Sequence, residues 1–181
     1  MLLECPFIIL VKAIQKQFNL LGIIFIMGEE KKENEPKKLI SEEEVILFAI
    51  LAIIGRIAME PFSSVEPIIP IAVYVALAYG MNAGLIIGLI AYPVSNFFMD
   101  GGVFGFWTIL QATGGGLSGA IAGGKELTMN NLITYTLIGT IIFEILLNIT
   151  WGALLVWPYS ITHIVTNIGF AVLLGVAIGK K

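Results

Sequence analysis

The sequence predicts an all-α integral membrane protein, a compact bundle of about six transmembrane helices with both termini in the cytoplasm. Of the 181 residues, 57% are hydrophobic and only 13% are charged, whereas a soluble domain carries roughly a quarter charged residues. The hydrophobic residues fall into six runs separated by short polar breaks. Outside those runs, Lys and Arg occur only in the N-terminal region, at one connection and at the C-terminus, as expected when cytoplasmic segments carry the positive charge.

The first 42 residues contain no complete membrane span. Residues 1–26 hold two apolar pieces around a polar centre, and each piece is shorter than the ~20 apolar residues that a spanning helix needs. We expect either an interfacial segment or residues upstream of the true start, because Met27 followed by a charged run would make a conventional start. Residues 27–42 are predicted to be a flexible cytoplasmic tail, since mixed charges with little apolar surface cannot form a core.

Residues 43–181 are predicted to form the transmembrane domain. Ser41 with Glu44 three residues later matches a capping box, so the first helix should begin near Glu42. The glycine pairs with GxxxG spacing favour close helix packing. Several segments are short, which favours a compact bundle over isolated spans. The six apolar segments cover about 45–62, 67–79, 83–98, 103–123, 132–157 and 161–179.

The positive charges predict which end of the bundle faces outward. Lys125 lies after the fourth segment, whereas the connections after the first, third and fifth segments contain neither Lys nor Arg. The strongly polar residues of the spans then lie in the middle or outer half, and several are one helical turn apart and so share a face. We expect them to line one pocket open to the outside. The candidate substrate-binding residues are Arg56, Glu60, Asn96, Asp100, Trp107, Gln111, Glu144, Asn148, Trp151, His163 and Asn167.

Arg56 and Glu144 are predicted to lie at similar depth. Because a charge at mid-membrane costs ~2.5–3.5 kcal/mol, we expect these two side chains to face each other or a wet cavity. Aromatic faces with a few amides and carboxylates suit a flat heterocycle. Acidic residues outnumber basic ones near the predicted opening, which favours a neutral or cationic ligand. Arg56 could bind one carboxylate if Glu144 is not its partner.

Each candidate also has a structural interpretation. Trp107 and Trp151 could anchor the bundle at the headgroup level, and His163 could be a hydrogen-bonded core residue. Asp100 could make a turn with its glycines. One Cys and one His in the whole chain argue against a metal site of nitrogen and sulfur ligands. No P-loop is present, so any ATP must be used by a partner, and we expect no cofactor and no nucleic-acid partner.

Residues 55–124, with "VSNFF" followed by "FWTILQ", and residues 157–175, with "THIVTN", resemble the S components of energy-coupling factor transporters. In that family an Arg ends the first helix and a Gly-rich third helix ends in Ser-Asn-Phe. A Gly-rich loop, Trp-Thr and a Gln one turn later follow, and a His and an Asn four residues apart come near the end. The resemblance covers about residues 43–179.

The resemblance implies the substrate-binding S component of an energy-coupling factor type ABC importer, a multi-pass protein of the cell membrane. Such a subunit captures a vitamin or related micronutrient from outside and joins a transmembrane coupling protein and two ATPase subunits, surrounded by membrane lipid. In the family, a small-residue stripe on the first helix contacts the coupling protein. The matching residues here, Ala49, Ala52 and Gly55, repeat every three residues rather than every four.

Three other classes stay open from the sequence. A stand-alone facilitator or channel would need a polar path through the inner half, which here is glycine and aliphatic. A structural assembly subunit would be held by the GxxxG faces. An intramembrane enzyme could use Glu144, His163 or Asp100, although no nucleophile–base spacing supports it, and we predict that the chain is not an enzyme.

Overall fold

A computed structural model describes residues 42–99 and 102–178. Within these ranges the chain is all-helical, as predicted, with six α-helices, one 3₁₀ turn and no strand. The predicted N-terminal segment and tail lie outside the described residues, apart from Glu42, and so does Asp100. The helices are α1 Glu42–Ala58, α2 Ile68–Tyr79, α3 Met81–Phe98, α4 Phe106–Ala120, α5 Met129–Asn148 and α6 Tyr159–Ile178.

Helix α1 begins where the capping box predicts and ends four residues earlier than its apolar run. Pro61 explains the early end, because proline disfavours helical backbone at the residue before it, here Glu60. The backbone N–H of Phe62 donates to the carbonyl of Met59 at 2.8 Å, so the residues after the helix form a hydrogen-bonded turn. The loop 59–67, which we call the first loop, therefore carries residues that the sequence placed partly in a helix.

Helix α2 is the centre of the bundle. Every residue from Ile68 to Leu77 is buried, and α2 contacts each of the other five helices. A helix that is apolar all round must be covered on all sides. At 12 residues it is about 18 Å long, so it is the short apolar core around which the longer helices pack.

Helices α3 and α4 pack with their backbones almost in contact. A Cβ atom on Gly88 would collide with the backbone of Gly115, and one on Gly119 would collide with the backbone of Gly84. Small residues at both positions allow this approach. The GxxxG spacings thus act on helix packing, as the sequence predicts.

Helix α5 is shorter at its C-terminal end than predicted. It ends at Asn148 instead of continuing to residue 157, and a 3₁₀ turn, Ile149–Trp151, follows. Gly152 closes that turn with a φ of 72°, a left-handed conformation that glycine adopts without penalty. The residues after Gly152 form a non-helical connection up to α6, because the left-handed backbone at this glycine ends the helical turn.

Three helices are long and apolar enough to cross a membrane: Met81–Phe98, Met129–Asn148 and Tyr159–Ala177. Helix α2 is a shorter apolar helix. Many large apolar side chains face outward on the long helices and on α1, among them Leu47, Leu51, Ile138, Val165 and Leu173. Exposed apolar faces of this kind mark surfaces that contact lipid or another protein, which indicates association with a membrane.

Candidate functional site

Polar side chains from five helices and the first loop meet at one end of the bundle, which we call the polar end. It comprises the C-terminal ends of α1, α3 and α5 and the first turns of α4 and α6. Lys125 lies in the connection between α4 and α5 and is therefore at the opposite end. Several of the polar residues that the sequence assigned to the same side thus converge, and most of these bond to one another.

Arg56 from α1 is the centre of the first group of contacts. The side chain is buried, and its Nε donates to Oε2 of Glu66 at 2.7 Å. Nη1 donates to Oγ of Ser95 at 2.6 Å and to Oδ1 of Asn96 at 2.5 Å. The guanidinium carbon lies 5.0 Å from the centre of the Tyr92 ring, a cation–π distance. Arg56 is therefore held by partners from α3 and from the first loop.

Glu66 from the first loop is contacted by three side chains, two hydrogen-bond donors and the His163 ring. Besides Arg56, the Tyr92 hydroxyl donates to Oε1, and Nε2 of His163 lies 3.2 Å from the same oxygen. The Nε2 contact is an ion contact, since the ring N–H is not aligned for a hydrogen bond. Burial raises the pKa of Glu66, but the charge of Arg56 and the contact with His163 outweigh it and lower the pKa to about 2. The carboxyl is thus ionised at neutral pH.

Glu144 from α5 holds the first turns of α6. Its Oε1 lies 2.6 Å from Nδ1 of His163, and its Oε2 accepts from Nδ2 of Asn148 at 2.9 Å and from the Ser160 hydroxyl. Asn148 and Glu144 are one turn apart, as the sequence spacing requires. Together with the contacts of Arg56 and Glu66, these hydrogen bonds form what we call the polar network, and its Glu144 half ties α5 to α6.

Of the two arrangements predicted for Arg56 and Glu144, a direct contact is absent, and Arg56 instead borders a cleft. The two side chains are the ends of a four-residue row in which Arg56 contacts Glu66, Glu66 contacts His163, and His163 contacts Glu144. The first loop brings a carboxylate to Arg56, so α5 need not supply one. Both ring nitrogens of His163 face carboxylate oxygens, an arrangement that suits the doubly protonated ring because both nitrogens are then donors. The row is electrically neutral in that state.

An aromatic layer lies beside this row. The ring of Tyr92 stacks on Phe143 with centroids 4.9 Å apart, and Phe143 meets the His163 ring edge-on at 5.3 Å. Aromatic pairs favour such offset and edge-on arrangements. This packing holds the rings of Tyr92 and His163, both of which contact Glu66.

A second branch of the network joins α3 to α4. Nδ2 of Asn96 donates to Oγ1 of Thr108 at 3.1 Å and to Oε1 of Gln111 at 2.8 Å. The "SNFF" and "WTILQ" parts of the sequence are therefore in direct contact. Trp107, in contrast, is 48% exposed, and it packs over Gly105 rather than within the network.

Asn167 lies one turn beyond His163 on α6 and forms a separate buried contact. Its Nδ2 donates to Oγ1 of Thr140 at 3.1 Å, and that hydroxyl donates to the carbonyl of Thr136 at 2.8 Å. Oδ1 of Asn167 and Oγ1 of Thr136 have no hydrogen-bond partner among the described residues. This pair belongs to the interior of the α5–α6 interface.

A cleft of about 200 Å³ adjoins Arg56 and Glu66 at the polar end. Glu60 borders it with an exposed side chain. The structure describes only the backbone of Trp151, in the 3₁₀ turn. The lining is formed by Arg56, Met59, Glu60, Phe62, Ser63, Ser64, Val65, Glu66 and Met99.

Of the candidates from the sequence, the network unites Arg56, Asn96, Gln111, Glu144, Asn148 and His163. Helical spacing could have found two further members, since Tyr92 is one turn from Asn96, and Ser160 is one turn from His163. Ser95 is the neighbour of Asn96 in the sequence. Glu66 had no such signal, because it lies in a loop. No group of three or more His, Cys, Asp or Glu among the described residues is arranged to hold a metal ion.

The small residues of α1 pack against other parts of the chain, and their predicted contact with a coupling protein stays a prediction. Ala49 and Ala52 are buried inside the bundle, and a Cβ on Gly55 would lie 2.6 Å from Cγ of Pro67. Their small size lets α1 pack closely on its own neighbours. The exposed face of α1 consists of larger aliphatic residues, including Leu51 and Ile54.

Neither a family model, nor a curated protein, nor a solved structure matches the chain. The resemblance to S components thus stays a prediction from the motifs quoted above.

Proposed function

We propose that the chain is the substrate-binding subunit of an ABC importer of the energy-coupling factor type. It captures a vitamin-like small molecule from outside, and a transmembrane coupling protein with two ATPases drives uptake. The observation that carries the proposal is the union of buried polar side chains from five helices at one end of the bundle, next to a cleft of about 200 Å³. The motif resemblance supports the same assignment.

The burial of the ionisable side chains supports a role in binding. Ionisable residues inside membrane helices are costly and generally serve a function. A purely structural contact could be made by apolar residues, since replacing a buried ion pair by well-packed apolar groups is often neutral or stabilising. Here Arg56, Glu144 and His163 are each less than a tenth exposed. Arg56 lines the cleft, and His163 contacts Glu66, which lines it too. We interpret them as the frame of a ligand site.

The proposed topology has six spans, with the polar end outside and both termini in the cytoplasm. Lys125 is exposed at the opposite end of the bundle, where cytoplasmic connections carry their positive charge. The short α2 counts as one of the six, because its neighbours cover it from Ile68 to Leu77. A cleft at the outer end would receive substrate from outside the cell.

Ligand binding by the isolated protein tests the proposal. Native mass spectrometry of the detergent-purified chain should reveal a bound small molecule, and thermal-shift screening of water-soluble vitamins should identify a stabilising compound. Asn96→Ala should weaken binding by about tenfold or more, because it removes a hydrogen bond that holds Arg56 beside the cleft. Asn131→Ala, the same change at the opposite end, is the matched control and should leave affinity unchanged.

Two results would count against the proposal. One is a screen in which no compound stabilises the protein while Asn96→Ala affects only stability. The other is substrate flux through vesicles that contain this chain without ATPases, which would instead identify a stand-alone facilitator.

A further inference from the structure

We propose that Arg56, Tyr92 and His163 form a receptor for a single carboxylate group, that Glu66 fills this receptor in the present structure, and that the carboxylate of a small-molecule ligand takes its place. The role of the ligand rests on the proposed function. The receptor itself does not depend on it and can be tested separately.

The three side chains come from three different helices and converge on one carboxylate. Nε of Arg56 lies 2.7 Å from Oε2 of Glu66, and the hydroxyl of Tyr92 and Nε2 of His163 both address Oε1. Each side chain is buried and held by other contacts: Arg56 by α3 and the Tyr92 ring by Phe143. The charge-assisted hydrogen bond from Arg56 is of the strongest kind that a carboxylate accepts, and the His163 ring adds an ion contact at 3.2 Å.

The resident carboxylate, by contrast, comes from a loop. Ser64, two residues before Glu66, has a φ of 60°, a conformation that is uncommon for residues other than glycine. Between the loop backbone at Ser64 and α6 there is a 3.3 Å hydrogen bond from Thr166. The loop also borders the cleft of about 200 Å³. The groups that contact the carboxylate thus lie on helices, whereas the carboxylate itself lies on a loop that borders the cleft.

Charge selects the class of ligand. A ligand carboxylate in place of the Glu66 carboxylate would substitute one negative charge for another, so the row from Arg56 to Glu144 would stay electrically neutral. A neutral ligand at this position would leave Arg56 buried without a counter-ion, which is strongly unfavourable. Since Glu144 is not the partner of Arg56, the alternative left open by the sequence applies, and the receptor favours a monoanionic carboxylate over a neutral or cationic group.

Chemical rescue tests the receptor. Glu66→Ala removes the carboxylate and leaves a space close to the size of acetate. Its unfolding temperature in detergent should lie well below that of the wild-type protein and should rise by several degrees, with saturation, on addition of sodium acetate or formate, because a ligand bound only to the folded state stabilises it. Acetamide and sodium chloride at equal concentration should have no such effect. The wild-type protein and Glu66→Gln, whose side chain still fills the space, should not respond to acetate.

The variant should be purified with acetate present throughout, and Glu66→Ser serves as a second truncation. If neither variant is recovered folded in acetate, or if acetate and acetamide act alike, the receptor is refuted. Rescue without any ligand in the vitamin screen would uphold the receptor and leave the proposed transport function unsupported. A ligand found in that screen without rescue by acetate would support the proposed transport function and refute the receptor.

Discussion

The contact between Arg56 and Glu66 should make a large and strongly coupled contribution to stability. Arg56→Met removes a 2.7 Å ion pair between side chains that are each about a tenth exposed. Breaking a buried pair from one side costs about 3–5 kcal/mol, because it leaves an uncompensated charge. Glu66 would keep its contacts with Tyr92 and His163, so we expect the lower end, about 3 kcal/mol.

Glu66→Met should cost a similar amount, about 3 kcal/mol, since Arg56 would keep only the neutral partners Ser95 and Asn96. The double variant leaves no unpaired charge at this contact. It should therefore cost about 4 kcal/mol rather than the sum of about 6, which is a coupling energy of about 2 kcal/mol.

The assay is thermal unfolding of the detergent-purified variants, followed by circular dichroism. A loss of about 3 kcal/mol corresponds to a drop of about 6–12 °C in Tm for a chain of this size. Glu126→Met, at an exposed carboxylate on the opposite end, is the control and should stay within about 2 °C. Additive effects of the two single changes, or single changes no larger than the control, would refute the ion-pair reasoning.

Two further predictions follow from packing and from titration. Gly88→Ala should destabilise the bundle by about 3 kcal/mol or more, because the added Cβ meets the backbone of Gly115. The control is Gly169→Ala, which has open space around it and should leave stability unchanged or raise it by up to about 1 kcal/mol. Equal Tm values for the two variants would contradict the close approach of α3 and α4. The Glu66 pKa of about 2 lies below its ordinary value of 4.5, so its stabilising effect is complete above pH 4.5 and is lost as the pH falls towards 2. The stability difference between the wild-type protein and Glu66→Gln, about 3 kcal/mol at pH 7, should shrink over that window, and a difference that stays constant down to pH 3 would show that the ionised carboxylate is not its source.

Much of the helical architecture could be predicted from the sequence. Six apolar runs predict six helices, and the boundaries agree where a local signal marks them, such as the capping box before Val45 and Gly80 between α2 and α3. The prediction failed where the apolar run continues beyond the helix. At residues 149–157 the side chains remain mostly apolar, but the left-handed backbone at Gly152 ends the helical turn, and hydropathy alone does not show that change.

The network could be predicted only in part. Helical spacing places Asn96 with Gln111 and Glu144 with Asn148 at one end, because side chains one turn apart share a face. Spacing does not show which of two nearby carboxylates an arginine meets. For a related reason, the spacing of Ala49 and Ala52 is compatible with packing on either a partner or the chain's own helices, and only the structure shows that both are buried within the bundle.

By itself, the sequence determined an all-helical, apolar chain with its polar side chains grouped towards one end, because hydrophobicity and helical periodicity are local properties. The tertiary structure alone decided that the first loop folds back so that Glu66 meets Arg56, Tyr92 and His163. That choice depends on the path of an irregular loop, and the buried charge of Arg56 makes it favourable only once the helices have formed the site that receives it.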